Sequence, residues 1–92
     1  MAAEKTVNLL SIASTATSVL AANPDRLAAI LRVVSGEVWF GPDNTVTADD
    51  GLYWTVNDGP LNDEIPTLDA WYAIARAGTT AKICTLEVTD VP

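Results

Sequence analysis

The chain has 92 residues, 5 basic against 12 acidic side chains, a net charge of −7, one cysteine and no histidine. That length makes one domain. A lone cysteine excludes an intrachain disulfide, and the missing histidine excludes Ser-His-Asp and Cys-His catalysis and a Cys/His zinc site. So acidic a chain is repelled by phosphate backbones, so no nucleic-acid partner is expected.

Apolar residues make up 49% of the chain and charged ones 18%, where about 25% charged is usual. A domain this small buries only roughly 60–65% of the surface of its unfolded chain. Some apolar surface is therefore expected outside the monomer core, available to a copy of the chain. Residues 7–22 carry Asn8, Ser11, Ser14, Thr15, Thr17 and Ser18, too polar for the core of a secretory leader. No apolar run reaches the roughly 18 residues of a membrane helix, and no membrane partner is expected.

In chain order, residues 1–7 read as an extended N-terminal arm ahead of a single domain over 8–92. Val, Leu, Ile, Ser and Thr fill 6–15 and 17–21, which suits two strands. Asn23-Pro24-Asp25 is a turn signal. Residues 26–34 fit two templates. Leu27, Ile30, Leu31 and Val34 have helical spacing, while Leu27, Ala29, Leu31 and Val33 alternate as a strand does, and periodicity alone does not decide.

Beyond Ser35-Gly36 the pattern is β. Strands are expected over 37–41, 52–56, 70–76 and 80–89, with polar loops over 42–51 and 57–64. Residues 65–68 read as a short edge strand, because Pro66 cannot donate to a ladder. Turn signals between strands at this spacing predict an all-β fold, a small antiparallel β-sandwich or barrel.

All six aromatic residues stand in doublets: Trp39-Phe40, Tyr53-Trp54 and Trp71-Tyr72. Neighbouring strand side chains point to opposite faces, so each doublet sends one ring each way. Matching the apolar alternation puts Val38, Phe40, Leu52, Trp54, Val56, Tyr72, Ile74, Cys84, Leu86 and Val88 inward. Trp39, Tyr53, Trp71 and Ile83 then face outward. Each ring carries 150–250 Å², so exposed rings at roughly 25 cal/mol per Å² favour an interface. The alternative is that loops or the arm of the same chain cover them.

The order of motifs carries a resemblance. Thr17-Ser18-Val19-Leu20-Ala21-Ala22-Asn23-Pro24-Asp25-Arg26 leads into an apolar segment. Val38-Trp39-Phe40-Gly41, a Thr-rich loop to Asp50-Gly51-Leu52, Trp71-Tyr72-Ala73-Ile74-Ala75, Gly78-Thr79-Thr80 and Leu86-Glu87-Val88-Thr89 follow. This order resembles the small β-sandwich virion structural proteins of tailed bacteriophages, over residues 15–91. The acidic segment 57–64 departs from that pattern, which has a Pro-Gly-type turn there.

The resemblance implies that 26–34 is a strand. It implies a non-enzymatic role: a capsid decoration or cement protein on the outer surface of the virion, present in host cytoplasm during assembly. The expected partners are the major capsid protein and further copies of the chain, as a trimer first and a dimer second. The contact residues expected are Trp39, Tyr53 and Trp71 for self-contact, with Val7 and Leu9 on the arm. The alternative is a minor tail component, or a tail-fibre or spike module that recognises a host glycan.

No catalytic residue or cofactor is expected. Asp43, Asp49, Asp50, Asp58, Asp63 and Glu64 lack the spacing of a calcium loop and read as a solvated acidic surface. Cys84 reads as a buried, inert thiol. Arg26 and Arg32, expected on one strand face, read as partners for nearby acids.

Overall fold

Residues 26–35 resolve the ambiguity of the sequence: they form a strand. The computed structural model describes residues 2–63 and 70–91. In chain order the strands are β1 (Ala2–Ile12), β2 (Thr17–Leu20), β3 (Arg26–Ser35), β4 (Glu37–Gly41), β5 (Leu52–Thr55), β6 (Pro60–Asp63), β7 (Trp71–Ala75) and β8 (Ala81–Val91). One 3-10 turn, Val56–Asp58, lies between β5 and β6. In β3 the buried residues Ala29, Leu31 and Val33 alternate with exposed Ala28, Ile30 and Arg32. Period two prevails because β3 lies between β8 and β6 and its backbone groups pair with both.

The strands form two antiparallel sheets, ordered β1-β8-β3-β6 and β2-β7-β4-β5. The pairings β1·β8, β2·β7, β3·β6 and β4·β5 are nested. They are those of one long antiparallel ribbon folded over into two layers, which is the eight-stranded jelly roll. The expected small β-sandwich is what the chain forms. Its extents are 44 × 23 × 19 Å. The two longest strands, β1 and β8, have 11 residues each.

The core lies between the sheets. Ile12, Leu31, Val33, Ala81 and Ile83 meet Val38, Phe40, Ala73 and Ala75, all nearly inaccessible to water. The three alanines leave room for Phe40, whose ring takes the edge of Trp71 at 5.9 Å between centroids. Gly36, at φ 80°, makes the sharp step from β3 to β4.

Several facing expectations are corrected. In β7, Ala73 and Ala75 are buried, and Trp71 on the same face packs on the core; Tyr72 and Ile74 turn outward. The register sets this, since Ala73 pairs with Phe40 and Ala75 with Val38, and paired residues share a face. In β8, Ala81, Ile83 and Thr85 are buried. Cys84, Leu86 and Val88 therefore face out. Ile83 lies between Leu10 of β1 and Val33 of β3 and must follow them inward. Val56 is exposed in the 3-10 turn, and Leu52 is exposed on the edge strand β5.

Two boundaries also differ. Residues 2–7, expected as an arm, are the first half of β1 and pair with residues 86–91 of the same chain. The segment expected as a loop over 57–64 holds β6. Pro60 starts that edge strand, where its missing N–H is tolerated. The edge strand expected over 65–68, with Glu64, lies outside the described residues.

Candidate functional site

The outer face of the β1-β8-β3-β6 sheet is apolar at its centre. Antiparallel register lays its side chains out in rows across the strands. One row is Val7, Leu86, Ile30 and Asn62; the next is Leu9, Cys84, Arg32 and Pro60. Lys5, Val88 and Ala28 form the row on the other side of Leu86. Val7 and Leu9 are each 64% exposed and Ile30 37%. A sheet with both faces apolar ordinarily has both faces covered. Here one is covered by the second sheet and the other is open.

Charge is distributed unevenly. The five cations are Lys5, Arg26, Arg32, Arg76 and Lys82. Arg26 pairs with Glu87 and Arg76 with Glu37. The other three make no ion pair among the described residues. Register places all three on this one outer face, with Lys82 beside Ser11 and Ser35. Asp90, beside Ala3, is the one acid on the outer positions of β1, β3 and β8. Its Oδ1 is buried without a hydrogen-bond partner.

Arg26 does not share a face with Arg32, as alternation had suggested. A bulge sets Arg26 against Thr89 and Ala28 against Val88, so Leu27 is the extra residue. Leu27 is exposed and Arg26 is buried. Arg26 thus caps the interior, donating from Nε to Glu87 and from Nη2 to the Ala21 carbonyl at 2.7 Å.

The outer face of the second sheet carries Trp39, Tyr53, Ile74 and Glu37. The Trp39 and Tyr53 rings lie 5.1 Å apart, tilted by 45°. The Arg76 guanidinium sits 5.5 Å above the Trp39 ring. Glu37 accepts from both the Tyr53 hydroxyl and Arg76 Nε. Those two hydrogen bonds, Arg76 first, hold the Glu37 carboxyl below its ordinary pKa. In turn Glu37 pushes the Tyr53 phenol and the Arg76 guanidinium up. Beside the cluster lies a shallow open groove lined by Gly36, Glu37, Tyr53, Thr55, Asn57 and Thr79.

Trp39 is nevertheless only 9% exposed. Tyr53 and Arg76 lie against its ring, and Gly51, at the end of the loop 42–51, passes against its Cβ. A Cβ on Gly51 would stand 2.6 Å from the Trp39 Cβ, and one on Gly41 2.5 Å from Val46. Val46 is buried there. The loop holds itself in place. Asp43 accepts from the Thr45 N–H at 2.9 Å and from its hydroxyl; Asp50 accepts from the Thr47 N–H at 2.7 Å and its hydroxyl at 2.9 Å. These bonds hold the pKa of Asp43 and of Asp50 down. Asp58 does similar work for Thr55, in a capping box. The acidic side chains of these loops are turn-formers, and no three metal-ligating side chains cluster among the described residues.

The five residues expected at contacts are therefore not one site. Val7 and Leu9 lie on the open face of the first sheet, and Tyr53, 46% exposed, lies on that of the second. Trp39 is nearly buried, with Tyr53 and Arg76 against its ring and Gly51 against its Cβ, and Trp71 packs on the core. Sequence reasoning missed Ile30, Leu86 and Cys84 as surface residues. The signal was available: β1 and β3 carry apolar side chains at both parities, Val7 and Leu9 against Leu10 and Ile12, Ile30 and Val34 against Leu31 and Val33.

Comparison with protein-family models, with curated proteins and with solved structures returns no match.

Proposed function

We propose that the chain is a structural protein of a phage virion: a capsid decoration or cement protein that binds the outer capsid surface as a homo-oligomer. The open apolar face around Val7, Leu9, Ile30 and Leu86 carries this reading. Surface of that kind on a small domain is a cost in isolation and a gain in an assembly. The motif order of residues 15–91 supports the virion setting. The jelly roll supports it by analogy only, since capsid and lectin domains share that architecture.

The mechanism is linkage. Contacts made only on the assembled shell, with the major capsid protein and between copies, stabilise that shell against expansion and dissociation. Purified protein added to undecorated shells should bind to a fixed number of copies per particle and raise the shell's melting temperature. Shells that bind no protein at saturating concentration would refute the reading.

The glycan-binding alternative has one observation in its favour. The half-exposed Tyr53 ring borders the groove with Glu37 and Asn57, which offers a sugar a stacking surface and polar partners. Under that reading a glycan array gives binding that Tyr53→Ala abolishes.

A further inference from the structure

We propose that the outer face of the β1-β8-β3-β6 sheet docks on the same face of a second copy, about a twofold axis that crosses β8 at Leu86 at right angles to the strands. This names the self-contact of the proposed function and makes it a dimer. The face is self-complementary about that axis. Along β8 its outward residues are Lys82, Cys84, Leu86, Val88 and Asp90. Lys82 stands four residues before Leu86 and Asp90 four after it.

Turning the face over about Leu86 lays the apolar row of Val7, Leu86 and Ile30 on its own copy. It also sets Lys82 of each copy against Asp90 of the other, twice. Lys5 and Arg32 lie one row to either side of the axis, on different strands. The rotation sets Lys5 over Leu9 and Arg32 over Ala28, so no cation meets a cation. Their long stems can lie on apolar surface while their charges reach water. Aligned sheet stacking adds a tilt of about 30°, and lysine length spans the offset this makes at the ends of β8.

The size is adequate. Eight residue steps at about 3.3 Å along β1, β8 and β3, with the four-residue β6 beside them, at about 4.8 Å per strand project to roughly 440 Å². Side-chain relief raises that toward the roughly 600 Å² per partner at which stable specific interfaces begin. An acidic partner would favour a face with cations alone; Asp90 at the far end of β8 argues for the copy.

The test is sedimentation of the full chain across micromolar concentrations. The expected species has twice the 9.7 kDa mass of one chain. Lys82→Asp alone and Asp90→Lys alone should each weaken association about a hundredfold, since the twofold axis breaks both charge pairs at once and each is worth about tenfold. The double variant K82D/D90K should restore it. Within one chain these positions are about 26 Å apart at 3.3 Å per residue, so rescue requires the second copy. With Cys84→Ser, Leu86→Cys should cross-link across the axis through a short bis-maleimide. Circular dichroism checks that each variant is folded. A monomer throughout, or a dimer with neither rescue nor cross-link, overturns the proposal. Shell binding is read separately: shells that still take up a monomeric chain refute the dimer and leave the decoration role standing.

Discussion

Nε of Arg26 donates to Oε2 of Glu87 at 2.8 Å, from a side chain that is wholly buried. The bulge at Leu27 makes the pair possible, because it turns Arg26 to the inner side, where Glu87 already points. Asn23 Nδ2 donates to Thr89 Oγ1 alongside at 3.0 Å. One end of the sandwich is thus closed by polar groups and not by more apolar core. Glu87→Ala would take the carboxylate away from a buried guanidinium, which keeps its bond to the Ala21 carbonyl. Loss of one partner of a buried pair costs about 3–5 kcal/mol, and the lower end applies because Glu87 keeps some water contact. Urea unfolding should show that loss. The apolar double variant Arg26→Met/Glu87→Leu should recover most of it.

Gly51 passes so close to Trp39 that a methyl group has no space. Gly51→Ala should destabilise the fold by about 1–3 kcal/mol, as overpacking does. It should also lift loop 42–51 from Trp39. Of the three indole N–H resonances that three tryptophans give, one should shift, and Trp39→Phe identifies it.

Acid should unfold the protein through its hydrogen-bonded carboxyls. Glu37, Asp43 and Asp50 have folded-state pKa values below their ordinary 4.5, 3.8 and 3.8. The unfolded chain therefore binds protons first as pH falls. Their stabilisation is complete above the ordinary values and is lost as pH drops through the lowered ones. Stability should be flat from neutrality to about pH 5 and fall below about pH 4. Glu37→Gln and Asp50→Asn should each make the fall shallower in a melting-temperature series against pH.

At the other end of the scale, the Tyr53 phenol titrates above its ordinary 10.0, chiefly because its hydroxyl donates to the Glu37 carboxylate. Ionisation removes that donor and sets two anions together. The contribution is full below the ordinary value and is lost as pH rises through the raised one. Ultraviolet titration of the two tyrosines should show one late phenol. In Glu37→Gln it should return toward its ordinary value.

The fold class was legible in the sequence because turn chemistry and β-branched alternation are local. Asn23-Pro24-Asp25, Gly36 and Gly78-Thr79 fall between strands, and Trp54 points inward as alternation suggested. Residues 26–34 were legible only through the motif order that the chain resembles, since their local spacing suits a helix equally. The covered state of Trp39 had no local signal. It depends on Tyr53 and Arg76, distant in the chain, lying against the ring and on Gly51 letting the loop pass against its Cβ.

The sequence by itself determined that this is an acidic, all-β chain with more apolar residues than its core can hold. Only the tertiary structure decided which of them stay outside. Alternation along β7 and β8 leaves two parities, and the more apolar one in β8, Cys84, Leu86 and Val88, is the one turned outward. The choice belongs to the neighbours: hydrogen-bond register ties β8 to Leu10 and Val33, and ties β7 to Val38 and Phe40. A one-residue step in that register would move every side chain of the strand to the other face. Strand partners, distant in the chain, therefore fix the open face and its charges.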